Sequence, residues 1–500
     1  MVHNRQFIIS KKMIKKDQFK AIELANGMIL NYQENLNILK VSKDIILIGN
    51  AYSIKDELNL YNWINKFVSL NDVLEETSFW SGRWILLWHE YLIPDASALL
   101  NVYYGLDFIS SSMALIAENL DALSKRKDVH ISDYYGLNFF PSPLTPLNGI
   151  KRLMPGQVYN FVSGEILEVD LLSENNYSAL SDDARVEILI SWFDNLFHDL
   201  SRKYENVLLT LTGGHDSRTV MALLEHAKID YDAFTMDHPR VDHQDISIAK
   251  ELSERCGCKW SLIQREKHKF SKQKYQDFDK HTFGMIQGDR DFYAYSQYPE
   301  NENTVILRNS VWENVICWYE TMLPDLNNIQ SYEQLWINVA YDEKMKNSLE
   351  AWIERSQKHN SEVDEYNRFF WEQRSGAWLS SLEQGLDILN GSTCIQICNC
   401  KEILTLLYSF SKEQRTTKQF EELIIAKACS KISEIPYAAK QNTTKSIWDK
   451  LKNIVNRILE KPKLFKWLFA NFGFEAAVSG MQKNLQRIFL KIFTTAFYKK

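Results

Sequence analysis

The chain has 500 residues, 45% of them hydrophobic and 24% charged, with a formal net charge of −6. That length allows two or more buried cores, and that make-up is globular rather than disordered or fibrous. The acidic balance excludes general nucleic-acid binding by the whole chain. Residues 1–30 lack an apolar core followed by a small-residue cleavage site. No run of about 18 apolar residues occurs, so a cytoplasmic location is expected.

In the first part of the chain, Ile45-Ile46-Leu47-Ile48-Gly49 and Trp84-Ile85-Leu86-Leu87-Trp88 are apolar runs of strand length. Asn101–Gly105 and Phe108–Ser112 read as a pair around a turn. Val158–Val162 and Glu165–Val169 flank Ser163-Gly164 as a hairpin. Polar residues dominate from Ser173 to Asp183, which is the expected linker. Beyond it, Ile188, Leu189, Trp192, Leu196 and Leu200 fall at helical spacing, predicting a helix over Arg185–Leu200.

The next run, Val207-Leu208-Leu209-Thr210-Leu211-Thr212-Gly213-Gly214-His215-Asp216-Ser217-Arg218, reads as a buried strand, a glycine turn and the start of a helix. Two glycines allow uncommon backbone angles and let a ligand approach the main chain. The helix start offers free N–H groups and a positive dipole end to an anion. Asp216 beside such an anion cradle makes sense if Mg²⁺ lies between them. The bland alternative is a strand-to-helix turn in which Thr212, Asp216 and Ser217 act as cap and turn formers. Downstream, a strand at Tyr231–Met236, a helix at Asp245–Cys256 and a strand at Trp260–Ile263 complete a βαβαβ order. That order implies a parallel sheet with helices on both faces and a ligand at the carboxyl ends of its strands. Asp245 serves as a cap or as a site carboxylate. From about residue 330 the chain reads as mostly helical.

The loop resembles the Ser-Gly-Gly-X-Asp-Ser loop of N-type ATP pyrophosphatases, with Thr212 in place of the first serine. Gly82–Trp88, Pro94-Asp95-Ala96, Val102-Tyr103-Tyr104, Ile109–Ser112 and Gly149–Gln157 resemble, in that order, the amino-terminal domain of the asparagine synthetase-like family. The resemblance spans about residues 40–450. It implies an α+β, Ntn-hydrolase-like αββα sandwich over 1–175, degenerate as a glutaminase. An α/β parallel-sheet ATP pyrophosphatase domain over 184–450 would follow, and then a basic amphipathic tail over 451–500. The glutaminase of that family uses a cysteine after the initiator methionine, whereas this chain begins Met1-Val2-His3 and its first cysteine is Cys256. Glutamine hydrolysis is therefore not expected.

The resemblance implies an ATP-dependent ligase that adenylates a carboxylate, releases pyrophosphate and passes the acyl group to ammonia or an amine. A small-molecule or peptide acid and an amine donor are its expected partners, and ATP with Mg²⁺ its cofactors. Thr212, Gly213, Gly214 and Ser217 would hold pyrophosphate. Asp216 and Glu313 would hold Mg²⁺. The backbone of Phe234 and Met236 would meet adenine. Lys440, in Ile435–Asn442, would stabilise developing charge, and Glu313 joins it as a catalytic candidate. Arg308 contacts phosphate or forms a salt bridge. Arg374, Trp378, Glu383 and Asp387 line an acceptor pocket or belong to core and salt bridges. A lactam or lasso-peptide type cyclase and an inactive scaffold are the alternatives.

The seven cysteines are expected as reduced thiols, with Cys394, Cys398 and Cys400 read as packing residues rather than a zinc site. Lys440–Lys500 carries 13 Lys or Arg against 3 Asp or Glu, with interleaved Phe, Trp and Leu. Such a helix lies on an anionic membrane surface or packs with a solvated face.

Overall fold

The computed structural model describes residues 3–56, 58–60, 67–119, 139–237, 243–264, 272–282, 301–320, 343–359, 362–389 and 391–438. Contacts divide the chain into Met1–Tyr437 and Ala438–Lys500. Lys440 and the tail over 451–500 lie outside the described residues. Among the described residues, no helix is long and apolar enough to cross a membrane.

Two six-stranded antiparallel sheets form the first part. One runs, in spatial order, Lys151–Arg152, Tyr103–Gly105, Phe108–Ser110, Phe7–Ser10, Ile29–Gln33, Phe19–Glu23. The other runs Ile166–Glu168, Gln157–Asn160, Tyr91–Pro94, Trp80–Trp88, Ile45–Ser53, Ile38–Lys40. Period-two alternation sorts their side chains. Phe7 and Ile9 from one sheet meet Ile46, Ile48, Ile85 and Leu87 from the other in a shared core. The intervening Ile45, Leu47, Trp84, Leu86 and Trp88 point to the opposite face, against Val73 and Leu74 of the helix Leu70–Thr77. Strands covered on both faces read as unbroken apolar runs rather than as alternation, which is the pattern seen in Ile45–Ile48. On the far side of the first sheet, Ile8 and Tyr103 pack with Met113, Leu115 and Ile116. Leu349, Trp352, Phe369 and Phe370 from the second half of the chain join them. The layers are thus helix, sheet, sheet and helix, with one helical layer drawn largely from residues beyond 340.

The expected hairpins are present: Tyr103–Gly105 pairs with Phe108–Ser110, and Gln157–Asn160 with Ile166–Glu168. Other strands carried little sequence signal. Phe19–Glu23 is largely exposed, Ile38–Lys40 has three residues and Lys151–Arg152 has two.

The third sheet is parallel throughout, in the order Trp260–Ile263, Asp232–Met236, Asn206–Thr210, Thr304–Arg308, Thr393–Gln396. The chain builds outward from Asn206–Thr210 in one direction, then crosses to the other side. That reversal lies beside the central strand, and crevices at such reversals bind ligands. Thr393–Gln396 adds a strand to a stretch that the sequence marks as mostly helical. The polar stretch Ser173–Asp183 is tied down: the Ser173 amide donates to Thr405 Oγ1 at 2.9 Å and the Tyr177 hydroxyl to Glu402 at 2.5 Å.

Buried polar pairs join the antiparallel sheets to the parallel one. Arg83 grips Asp387 through two bonds of 3.1 and 3.0 Å. Replacing Arg83 by Met leaves a buried carboxylate whose remaining ion-pair contact is Arg5, at 3.7 Å. Such a loss costs about 3–5 kcal/mol. Urea unfolding of Arg83→Met should show a drop of roughly that size, and an unchanged midpoint would refute the pairing.

Candidate functional site

The loop after the central strand is built from its own hydroxyls. The Thr212 amide donates to Ser217 Oγ at 3.0 Å, and Thr212 Oγ1 lies 3.1 Å from Ser217 Oγ. The Gly214 amide donates to Thr212 Oγ1 at 3.3 Å. Neither Gly213 nor Gly214 has a positive φ, so uncommon backbone angles are not the reason for them. A Cβ on Gly214 would stand 3.5 Å from Thr212 Oγ1, in ordinary contact, so what the glycine leaves is room for a ligand to approach the main chain. Gly214, in extended conformation, caps the helix His215–Ala227 without any side-chain cap bond. The Gly213 amide donates to Asp245 Oδ1 at 3.1 Å, so a carboxylate already sits on the loop backbone. Asp245, in the first turn of the helix His243–Cys256, is thereby a residue of the site.

Asp216 lies in the first turn of the loop helix and is ion-paired with Lys418. Lys418 Nζ is also 3.5 Å from Glu421 Oε1. Glu421 is fully buried; its Oε2 accepts from Thr219 Oγ1 at 3.1 Å, while its Oε1 has no hydrogen-bond donor. Burial and then the charge of Asp216 hold the Glu421 carboxyl well above the usual carboxylate range. Glu313, half-buried on the 3₁₀ turn Ser310–Asn314 after the strand Thr304–Arg308, is pushed up to about 7 by burial and by Asp216. Arg374 and Lys418 act on it in the opposite direction. Burial lowers the Lys418 pKa, but Asp216 and Glu421 outweigh it and the net shift is upward.

The structure therefore brings Thr212, Gly213, Gly214, Asp216, Ser217 and Glu313 to one carboxyl edge. Phe234 and Met236 lie on the adjacent strand: the Phe234 carbonyl accepts from Leu211 N at 2.9 Å, and its ring is in the core with Ile306 and Leu386. Lys440 lies outside the described residues, but the segment leading to it is placed. Tyr437 stacks on the His215 ring at 3.6 Å and 6°. Arg218, fully buried, covers Tyr437 at 4.0 Å and donates to the carbonyls of Ile435 and Pro436.

Arg308 is in a buried ion pair with Glu383 at 2.6 Å, not on an open surface. Asp387 serves Arg83. Arg374 lies over Trp378 at 3.7 Å and is the one of these four that acts on Glu313. Cys394, Cys398 and Cys400 are buried, and the Cys400 thiol donates to Ser78 O at 3.2 Å. Sequence reasoning missed Lys418 and Glu421. Their spacing of three along the chain is a weak mark of an ion pair and says nothing about a loop two hundred residues earlier.

Fold and site together define an α/β protein with a glycine loop and a carboxylate cluster at the switch point of a parallel sheet. No known family profile matches the chain, and no curated protein matches it. Among solved structures, NMN synthetase from Francisella tularensis is 14% identical, covering 53% of this chain and 99% of its own, with a TM-score of 0.20. The NH3-dependent NAD synthetase from Campylobacter jejuni is also 14% identical, covering 38% and 92%, with a TM-score of 0.20. Likeness at that level carries no argument about activity.

The raised Glu313 pKa sets a pH dependence. A carboxyl that holds its proton more tightly when folded stabilises the fold at low pH. That contribution is withdrawn as pH rises from about 4.5 through 7. Thermal unfolding of the metal-free protein should show a shallower decline across that window in Glu313→Gln than in the wild type. Superimposable profiles would show that Glu313 is not perturbed.

Proposed function

We propose that this chain is an ATP-dependent, amide-forming ligase of the asparagine synthetase-like kind. It adenylates a carboxylate with release of pyrophosphate and transfers the acyl group to ammonia or an amine. The observation that carries this reading is the Gly213 amide held on a carboxylate, beside the Asp216–Glu313–Glu421 cluster. The first is an oxyanion acceptor site; the second is a surplus of negative charge.

The residues present fit a divalent cation. Among the described residues Glu421 Oε1 has no hydrogen-bond donor and shares the Lys418 ammonium with Asp216, and burial and Asp216 disfavour Glu313 as an anion. Those are the marks of carboxylates short of positive charge. Asp216 and Glu313 would hold Mg²⁺, whose contribution is to neutralise the leaving pyrophosphate. Thr212, Gly213, Gly214 and Ser217 would bind pyrophosphate through amides and hydroxyls. Lys418 keeps a positive charge beside the same oxygens. The backbone of Phe234 and Met236 would receive adenine, and Lys440 would stabilise charge at the acyl centre. The antiparallel sheets, read as a degenerate glutaminase-like domain, would close the acceptor side near Arg374.

Calorimetry of ATP with Mg²⁺ tests the reading. The wild type should bind with a strict Mg²⁺ requirement. Asp216→Ala should lose affinity by about tenfold to a hundredfold, the worth of one charge-assisted contact. Pyrophosphate release with a panel of acids then finds the substrate. A folded wild type that binds no nucleotide would favour the scaffold reading instead.

A further inference from the structure

Away from the loop, two cysteines and a glutamate converge, with a third cysteine two residues along the chain. Cys256 is the last residue of the helix His243–Cys256. Gly257, at φ +77°, turns the chain back, with its amide on Ser253 O at 2.8 Å and the Cys258 amide on the same oxygen at 3.2 Å. Cys429 occupies the joint between the helices Gln419–Ala428 and Ser430–Ser433. The ligand atoms of Cys256, Cys429 and Glu225 all lie within 4.8 Å of one another. The Tyr231 hydroxyl donates to Glu225 Oε1 at 2.9 Å.

We propose that Cys256, Cys429 and Glu225 form a zinc site, with Cys258, two residues along the chain from Cys256, as the fourth ligand. Thiolates select a soft or borderline cation, and three thiolates with one carboxylate suit tetrahedral Zn²⁺. With bonds of about 2.0–2.3 Å the donors of a tetrahedron stand about 3.3–3.8 Å apart, so the side chains of Cys256, Cys429 and Glu225 need close by only about 1 Å. The negative end of the helix dipole at Cys256 favours a cation there. Each thiol that binds gives up its proton to solvent. Lys431, 2.6 Å from Glu225 Oε2, and Arg255, on the Lys431 carbonyl at 3.2 Å, supply positive charge at the rim. Bound zinc would brace two elements that serve the loop: the helix bearing Asp245 and the helix bearing Glu421. The proposal stands apart from the nucleotide reading.

The test uses the full-length protein, reduced and stripped of metal, titrated with Zn²⁺ against a chromophoric chelator. One equivalent should bind more tightly than about 10⁻⁷ M. Cys256→Ser and Cys429→Ser should weaken binding at least about a hundredfold. Glu225→Gln, which preserves shape, should weaken it about tenfold and so guards against a misfolded cysteine variant. Co²⁺ in place of Zn²⁺ should show thiolate-to-metal absorption that Cys256→Ser diminishes. Three results would overturn the proposal: binding by the folded wild type no tighter than about 10⁻⁵ M, equal binding by wild type and Cys256→Ser, or a Cys256–Cys429 disulfide that forms equally fast with and without Zn²⁺.

Discussion

One ammonium group among three carboxylates governs the site. Lys418 is ion-paired with Asp216, lies close to Glu421 and acts on Glu313. Buried carboxylates repel each other strongly where water is excluded, and without a cation between them the protons return. Glu421 and Glu313 already lean that way. The chain supports this arrangement at a local cost. Lys418 has a left-handed backbone, with φ 64° and ψ 19°, at the entrance to the helix Gln419–Ala428. A non-glycine residue in that conformation is uncommon and is held by its surroundings. Here the surroundings are the Lys418 ion pairs, which set the side chain between the loop helix and its neighbour.

The antiparallel sheets contribute by fixing the floor of that edge. Arg83 holds Asp387, and Asn399 donates to Asp95 and to the Gly82 carbonyl, both at 2.7 Å. Arg152 donates to the carbonyl of Ala377 at 2.6 Å and to Tyr103 at 2.7 Å. Gly376 meets Pro155 so closely that a Cβ there would lie 2.5 Å from the proline ring. Buried polar contacts of this kind are directional, so they favour one geometry over others. They make the two parts of Met1–Tyr437 one compact unit, and they place the irregular helical stretch carrying Arg374 beside Glu313. A chain meant only to bury apolar surface has little need of such pairing.

What could be read locally was read well. The strand, loop and helix from Asn206 to Ala227 were legible because backbone pattern and loop hydroxyls lie within a dozen residues and bond to one another. The same holds for the strands Asp232–Met236 and Trp260–Ile263, whose apolar runs are bounded by turns. Of the two reasons assigned to the glycines, the uncommon backbone angles are absent, because a sequence does not carry φ. Thr393–Gln396 was lost among helices: four buried residues have no period that tells strand from helix.

The sequence by itself determined the parallel sheet, the loop at its carboxyl edge and the presence of Asp216, since those follow from short-range pattern and turn chemistry. Only the tertiary structure decided which charges answer Asp216. Lys418, Glu421 and Glu313 reach it from other elements, and Asp245 takes the Gly213 amide. Tertiary packing likewise put Arg308 into a buried pair and gathered Cys256 with Cys429. Electrostatic partners are chosen by distance in space, and separation along the chain carries no record of it.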